Sequence, residues 1–143
     1  MTRYDLQCNI AQTLNVIGDR WTMLILHELL VGTENFNEIK HNLLGLSSNV
    51  LSARLKAMEE AGLVTSTLYS AHPPRYSYAL TNAGKELEHV FNALAIWGSA
   101  HLNPCYKEVV DAHTEEAVEV VYRTKDTKAI TEELIIRPAR IEQ

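Results

Sequence analysis

Between Ser47 and Val64 the chain reads Ser-Ser-Asn-Val-Leu-Ser-Ala-Arg-Leu-Lys-Ala-Met-Glu-Glu-Ala-Gly-Leu-Val, and its short polar side chains are the ones best suited to recognition chemistry. Ser48, Asn49 and Ser52 carry hydroxyl and amide groups that can exchange hydrogen bonds with base edges, with Ser47, Arg54 and Lys56 placed to hold phosphates. Asn49 is the best single candidate, because a carboxamide can pair with an adenine edge, a contact worth about 1–3 kcal/mol of discrimination. Arg75, beside Pro73 and Pro74, is a candidate for a narrow minor groove, where negative potential attracts a guanidinium. Asn37 and Lys40 are further candidates for phosphate. The competing reading of this stretch is a solvated polar face. For Arg54, which projects near the apolar border, it is an internal pair with a carboxylate.

These residues need a helix to present them, and the sequence supplies one. Val50, Leu51, Leu55, Met58 and Ala61 recur at helical spacing, which predicts a packed face opposite Ser48, Asn49, Ser52 and Lys56. Ser47 is a suitable N-cap and Gly62 a suitable terminator. Upstream, a helix is expected over Cys8 to Ile17 with Ile10, Leu14 and Ile17 packed. A second is capped by Asp19 and carries Trp21, Leu24, Ile25 and Leu29. In a third, Asn35 and Glu38 have capping-box spacing and Phe36, Ile39 and Leu43 face inward.

After Gly62 the pattern becomes strand-like through Val64 to Tyr69 and again through Tyr76 to Leu80. Ser70 to Arg75, with its two prolines, predicts a hairpin with a long tip in which pairing stops. Thr81 then caps one long helix. Its Leu87, Val90, Leu94, Trp97 and His101, spaced alternately by three and four, with Phe91 four after Leu87, form a seam suited to a partner helix, so a homodimer is expected. Beyond Asn103-Pro104 the composition turns acidic and β-branched, and a small hairpin is expected from Val118–Tyr122 and Leu134–Ile136, the alternative being that the second run begins as a helical turn at Thr131-Glu132-Glu133. The fold class is thus mainly α with a small β wing (α+β): a winged helix-turn-helix over residues 1–102, then an acidic β-containing extension over 103–143.

The 143 residues provide for a real core. A net charge of −5 excludes bulk coating of nucleic acid, which needs a general excess of Lys and Arg, but not a local basic surface. Much of the acid lies after residue 107, at Glu108, Asp111, Glu115, Glu116 and Glu119. No apolar run approaches a membrane span and no signal segment precedes the first polar residues, so the expectation is a cytoplasmic protein without membrane contact. Cys8 and Cys105 are too few for a disulfide framework and lack zinc spacing, and the six histidines have no ligand motif, so no metal or cofactor is expected. The absence of a phosphate loop, nucleophile motif or paired carboxylates argues against an enzyme.

Taken jointly, Cys8, Leu14 to Thr22, Phe36-Asn37-Glu38-Ile39, Leu51 to Leu55, Glu60 to Val64, Pro73 to Tyr78 and Leu80 to Gly84 resemble the HxlR-type winged helix-turn-helix regulators of bacteria and archaea. The resemblance covers residues 8 to 102. It implies a transcription factor that binds double-stranded DNA at a palindromic operator, as a homodimer built from the first and last helices of the domain. Leu14 would then join the seam. Several members of that family sense quinones, aldehydes or oxidants through a cysteine at the place of Cys8, which makes Cys8 a sensor candidate for a small-molecule or oxidant effector. A helix start also favours thiolate. No zinc knuckle is implied in the tail, where the corresponding turn reads Tyr122-Arg123-Thr124-Lys125-Asp126-Thr127. The rival from another class is a winged-helix module that no longer binds DNA and engages a protein through its acidic tail.

Overall fold

In the computed structural model, which describes residues 3–140, the N-terminal helices are set by short-range polar contacts. α1 (Asn9–Ile17) follows an extended Cys8, and the segment before it folds back along the helix: the Tyr4 N–H donates to Asn15 Oδ1 (2.8 Å) and Asn15 Nδ2 to the Tyr4 carbonyl (2.9 Å). Ala11 and Ile17 are its buried residues, whereas Ile10 and Leu14, expected to pack, are exposed. The Asp19 carboxylate starts α2 (Thr22–Leu30) by accepting the N–H groups of Trp21 (2.9 Å) and Thr22 (3.0 Å) and the Thr22 hydroxyl. Ile25, Leu26 and Leu29 are buried along α2, but Leu24 is exposed, so the stripe is rotated from the expected one.

α3 (Phe36–Asn42) is capped by Asn35, which accepts the Glu38 N–H (2.9 Å), and α4 (Ser48–Glu60) by Ser47, which accepts the Val50 N–H (3.2 Å). Leu51, Leu55 and Met58 of α4 join Ile25, Leu26, Ile39 and Val64 in the core. Val50 and Ala61, assigned to the same face by periodicity, are exposed. α4 ends in a Schellman motif: the Leu63 N–H reaches the Met58 carbonyl (2.9 Å), the Gly62 N–H reaches that of Glu59 (3.0 Å), and Gly62 has φ +77.

β1 (Val64–Ala71) and β2 (Pro74–Leu80) form the antiparallel wing, in register from Val64↔Leu80 to Ala71↔Pro74. The expected long tip is therefore corrected to a short one at His72-Pro73. Pro74 can begin β2 because a two-stranded ribbon leaves each strand an outer edge that needs no donor. The α2–α3 connection adds to this ribbon, with Asn35 bridging Ser77 and the Tyr78 N–H donating to the Glu34 carbonyl (2.9 Å).

The single helix expected after Thr81 is two: α5 (Asn82–Glu86) and α6 (Glu88–His101), broken at Leu87. Leu87 packs on the core, and the Phe91 ring stacks on that of His27 at 4.7 Å, so both serve the chain's own packing. Val90, Leu94 and Trp97 of the expected seam are exposed. The Thr81 hydroxyl accepts the Gly84 N–H (3.1 Å) and donates to the Gly62 carbonyl (2.6 Å). At Gly84 a Cβ would lie 2.2 Å from the Leu63 carbonyl oxygen, so this crossing needs glycine.

The chain gathers into two compact units, one up to Asn92 and the other from Ala93 on. In the second, Asp111 accepts the N–H groups of His113 (2.9 Å) and Thr114 (2.8 Å) in a turn closed by the Val110↔Ala117 bridge. A ribbon of two residues per strand follows, β3 (Tyr122–Arg123) with β4 (Ile130–Thr131). Its first strand meets the expected Val118–Tyr122 run only at Tyr122, and Leu134–Ile136, expected as the second strand, is not paired. Ile136 is 89% exposed, and its β-branched type alone does not supply a pairing partner.

Candidate nucleic-acid interface

The exposed side of α4 follows from its packed side. With Leu51, Leu55 and Met58 fixed in the core, Ser48, Ser52 and Lys56 are left as one outward stripe, with Asn49 and Ala53 beside them. Ser47 is exposed at the helix start, and its hydroxyl is engaged as the cap.

A cleft of about 420 Å³ runs between this helix, α3 and the wing, lined by Asn37, Ser52, Tyr69, Arg75 and Tyr76 among others. Three candidate residues from three separate elements therefore meet on one surface: Asn37 from α3, Ser52 from α4 and Arg75 from β2. Lys40 is exposed on α3 and Lys56 on α4, outside the cleft lining. Arg75 pairs across the wing with Ser70, next to the register shift after Leu68. A bulge of this kind bends and twists a ribbon.

Tyr69 and Tyr76, both exposed, add phenol groups to the cleft and were not singled out by the sequence. Alternation marks them as strand residues, while their position beside Ser52 depends on how the wing folds over α4. Tyr78 lies deeper, and burial first, then Glu59 and Tyr76, raise its hydroxyl pKa above the usual phenol value, keeping it a neutral donor.

Arg54 departs from the phosphate-binding expectation. Its guanidinium lies 3.5 Å from the Asp19 carboxylate, joining the middle of α4 to the start of α2. Burial pushes the Asp19 carboxyl up, but the Thr22 hydroxyl, the Trp21 and Thr22 N–H groups and Arg54 outweigh it and hold the pKa below the ordinary value. The internal pair weighed against phosphate binding is the arrangement found.

Residues 16–106 match the HxlR-like helix-turn-helix family. The chain belongs to that family. An HTH-type transcriptional regulator of Mycobacterium bovis is 37% identical over 94 residues, which are 66% of this chain and 59% of that protein. The match thus spans less than two thirds of that relative's length. Among solved structures, the transcription-factor candidate PA1607 superposes with a TM-score of 0.76 at 27% identity, covering 94% of this chain and 97% of that one. The redox regulator HypR in its oxidized form gives 0.61 at 28% identity, over 67% of this chain and 99% of that one. The mainly helical fold with a small β wing is that of winged helix-turn-helix regulators. Among the described residues, no helix is long and apolar enough to cross a membrane.

Proposed function

We propose that this HxlR-like protein is a sequence-specific DNA-binding transcriptional regulator, acting as a repressor. The observation that carries the reading is the convergence of Asn37, Ser52 and Arg75 on one cleft beside the exposed start of α4. In this reading Ser48, Asn49 and Ser52 meet base edges in the major groove, while Lys56, Lys40, Asn37 and Ser47 hold phosphates. Arg75 approaches the adjacent minor groove. Arg54, engaged by Asp19, positions α4 instead of contacting the backbone.

The binding unit proposed is a homodimer on a palindromic operator, since two-fold protein symmetry is mirrored in the site. Large apolar side chains left exposed on single elements support it: Leu14 on α1, and Val90, Leu94 and Trp97 on α6. For the effector, Cys8 is an exposed free thiol directly before α1. The family relation to a redox regulator supports assigning it the sensing of an oxidant or electrophile.

The test is selection of an operator from random duplexes, followed by affinity measurements across a salt series. A regulator holding phosphates gives a selected palindrome and a linear fall of log affinity with log salt. Failure to enrich any sequence, with no salt-dependent binding, would defeat the reading.

A further inference from the structure

The stripe of α4 turned away from the proposed DNA face is only partly covered. Val50, Arg54, Ala57 and Ala61 follow one another at helical spacing and form one wall of an open cleft of about 690 Å³. Facing them are Asn15 and Val16 of α1, Arg20 and Trp21 of the α1–α2 turn, and Arg3. This volume is that of a small-molecule site, and the lining sets the charged Arg3, Asp19, Arg20, Arg54 and Glu60 beside the apolar Val16, Trp21, Val50, Ala57 and Ala61.

Its charge is opposite to that of the chain. Arg3, Arg20 and Arg54 against Asp19 and Glu60 leave the lining with one positive charge in excess, in a protein of net charge −5. Asp19 is fully engaged by two N–H groups, the Thr22 hydroxyl and Arg54. That ion pair is the only one among the described residues, and within them neither Arg3 nor Arg20 is in ion-pair contact with a carboxylate. The Arg20 guanidinium stands over one face of the Trp21 ring, 5.2 Å from its centroid, which places a cation against the aromatic side chain in the lining.

A guanidinium receives a carboxylate through paired N–H groups, and Trp21, Val50 and Ala57 offer flat and aliphatic surface for a ring. We infer that this cleft binds a small aromatic carboxylate, with Arg20 and Arg3 on the anion and Val50, Ala57 and Trp21 on the ring. The site is separate from the stripe of Ser48, Ser52 and Lys56, and its test uses no DNA, so it stands or falls independently of the regulator reading.

The test is calorimetric titration of the full chain with naphthoate and, in parallel, with naphthalenemethanol, a neutral molecule with the same ring. Naphthoate should bind with a Kd below about 1 mM. The alcohol should bind about tenfold more weakly, because it lacks the charge-assisted hydrogen bonds. Arg20→Gln should weaken naphthoate severalfold, and Val50→Trp, which fills the cleft from an exposed position, should abolish binding with an unchanged circular dichroism spectrum. Absence of saturable heat, equal affinity for the alcohol, or full binding by a folded Val50→Trp overturns the proposal. A cleft covered by a second copy of the chain would fail to bind naphthoate and would lose oligomer mass on Val50→Trp; that result overturns it too.

Discussion

The Arg54 guanidinium on α4 stands 3.5 Å from the Asp19 carboxylate that caps α2. One acidic side chain therefore serves two helices. It completes the first turn of α2 and tethers the helix that carries Ser48, Asn49 and Ser52, so the orientation of that helix is set partly from behind.

Replacing Asp19 should cost more than a surface substitution. Asp19→Ala removes a cap worth about 1 kcal/mol and leaves Arg54 without its partner. Urea unfolding should show a lower midpoint with the slope unchanged; an identical midpoint would refute the double role.

The same carboxyl fixes a pH dependence. Its pKa is lowered in the folded chain from 3.8, so the stabilisation is complete above that value and is lost as pH falls through the folded one. The stability gap between the wild type and Asp19→Asn should be constant near neutrality and shrink below pH 3.8. A gap that widens on acidification would contradict this sign.

Gly84 should not accept a side chain. A Cβ there would sit 2.2 Å from the Leu63 carbonyl oxygen, a backbone atom that cannot swing aside. Gly84→Ala should destabilise the domain by about 1–3 kcal/mol, the range for overpacking. Thermal unfolding of the variant at or above the wild-type midpoint would show that this contact relaxes freely.

For the proposed DNA face, Asn49→Ala and Lys56→Ala separate reading from anchoring. The first should blur preference at one base pair at a cost of about 1–3 kcal/mol, and the second should weaken all sequences and reduce the salt slope by about 1. If operator affinity and preference survive both changes, α4 does not meet DNA through these residues.

Cys8 carries the sensing proposal. Cys8→Ser should preserve operator affinity and abolish its response to diamide or a quinone, followed by electrophoretic mobility shift. An undiminished response would assign the sensing elsewhere.

Caps were legible because capping is local chemistry: Asp19, Asn35, Ser47 and Thr81 each accept the N–H groups their spacing predicts. The DNA-facing stripe of α4 was legible through its opposite, the periodic Leu51, Leu55 and Met58. Periodicity names an apolar face but not what covers it, and so Val50 and Ala61 were placed in a core that does not reach them. Nonlocal contacts left no local mark either. Neither the bridge from Asn35 to Ser77 nor the place of Tyr69 and Tyr76 beside Ser52 could be read from spacing, and the Leu87 break interrupts a helix whose apolar pattern runs straight through it.

Thr81 joins two places that the chain order keeps apart. Its hydroxyl oxygen holds the Gly62 carbonyl just past the end of α4 and the first-turn N–H of Gly84 in α5. With the Thr81 N–H also donating to the Leu63 carbonyl (3.0 Å), a tug along α5 is delivered to the far end of α4 through a single residue, and the two helices cannot drift apart without unfastening that latch.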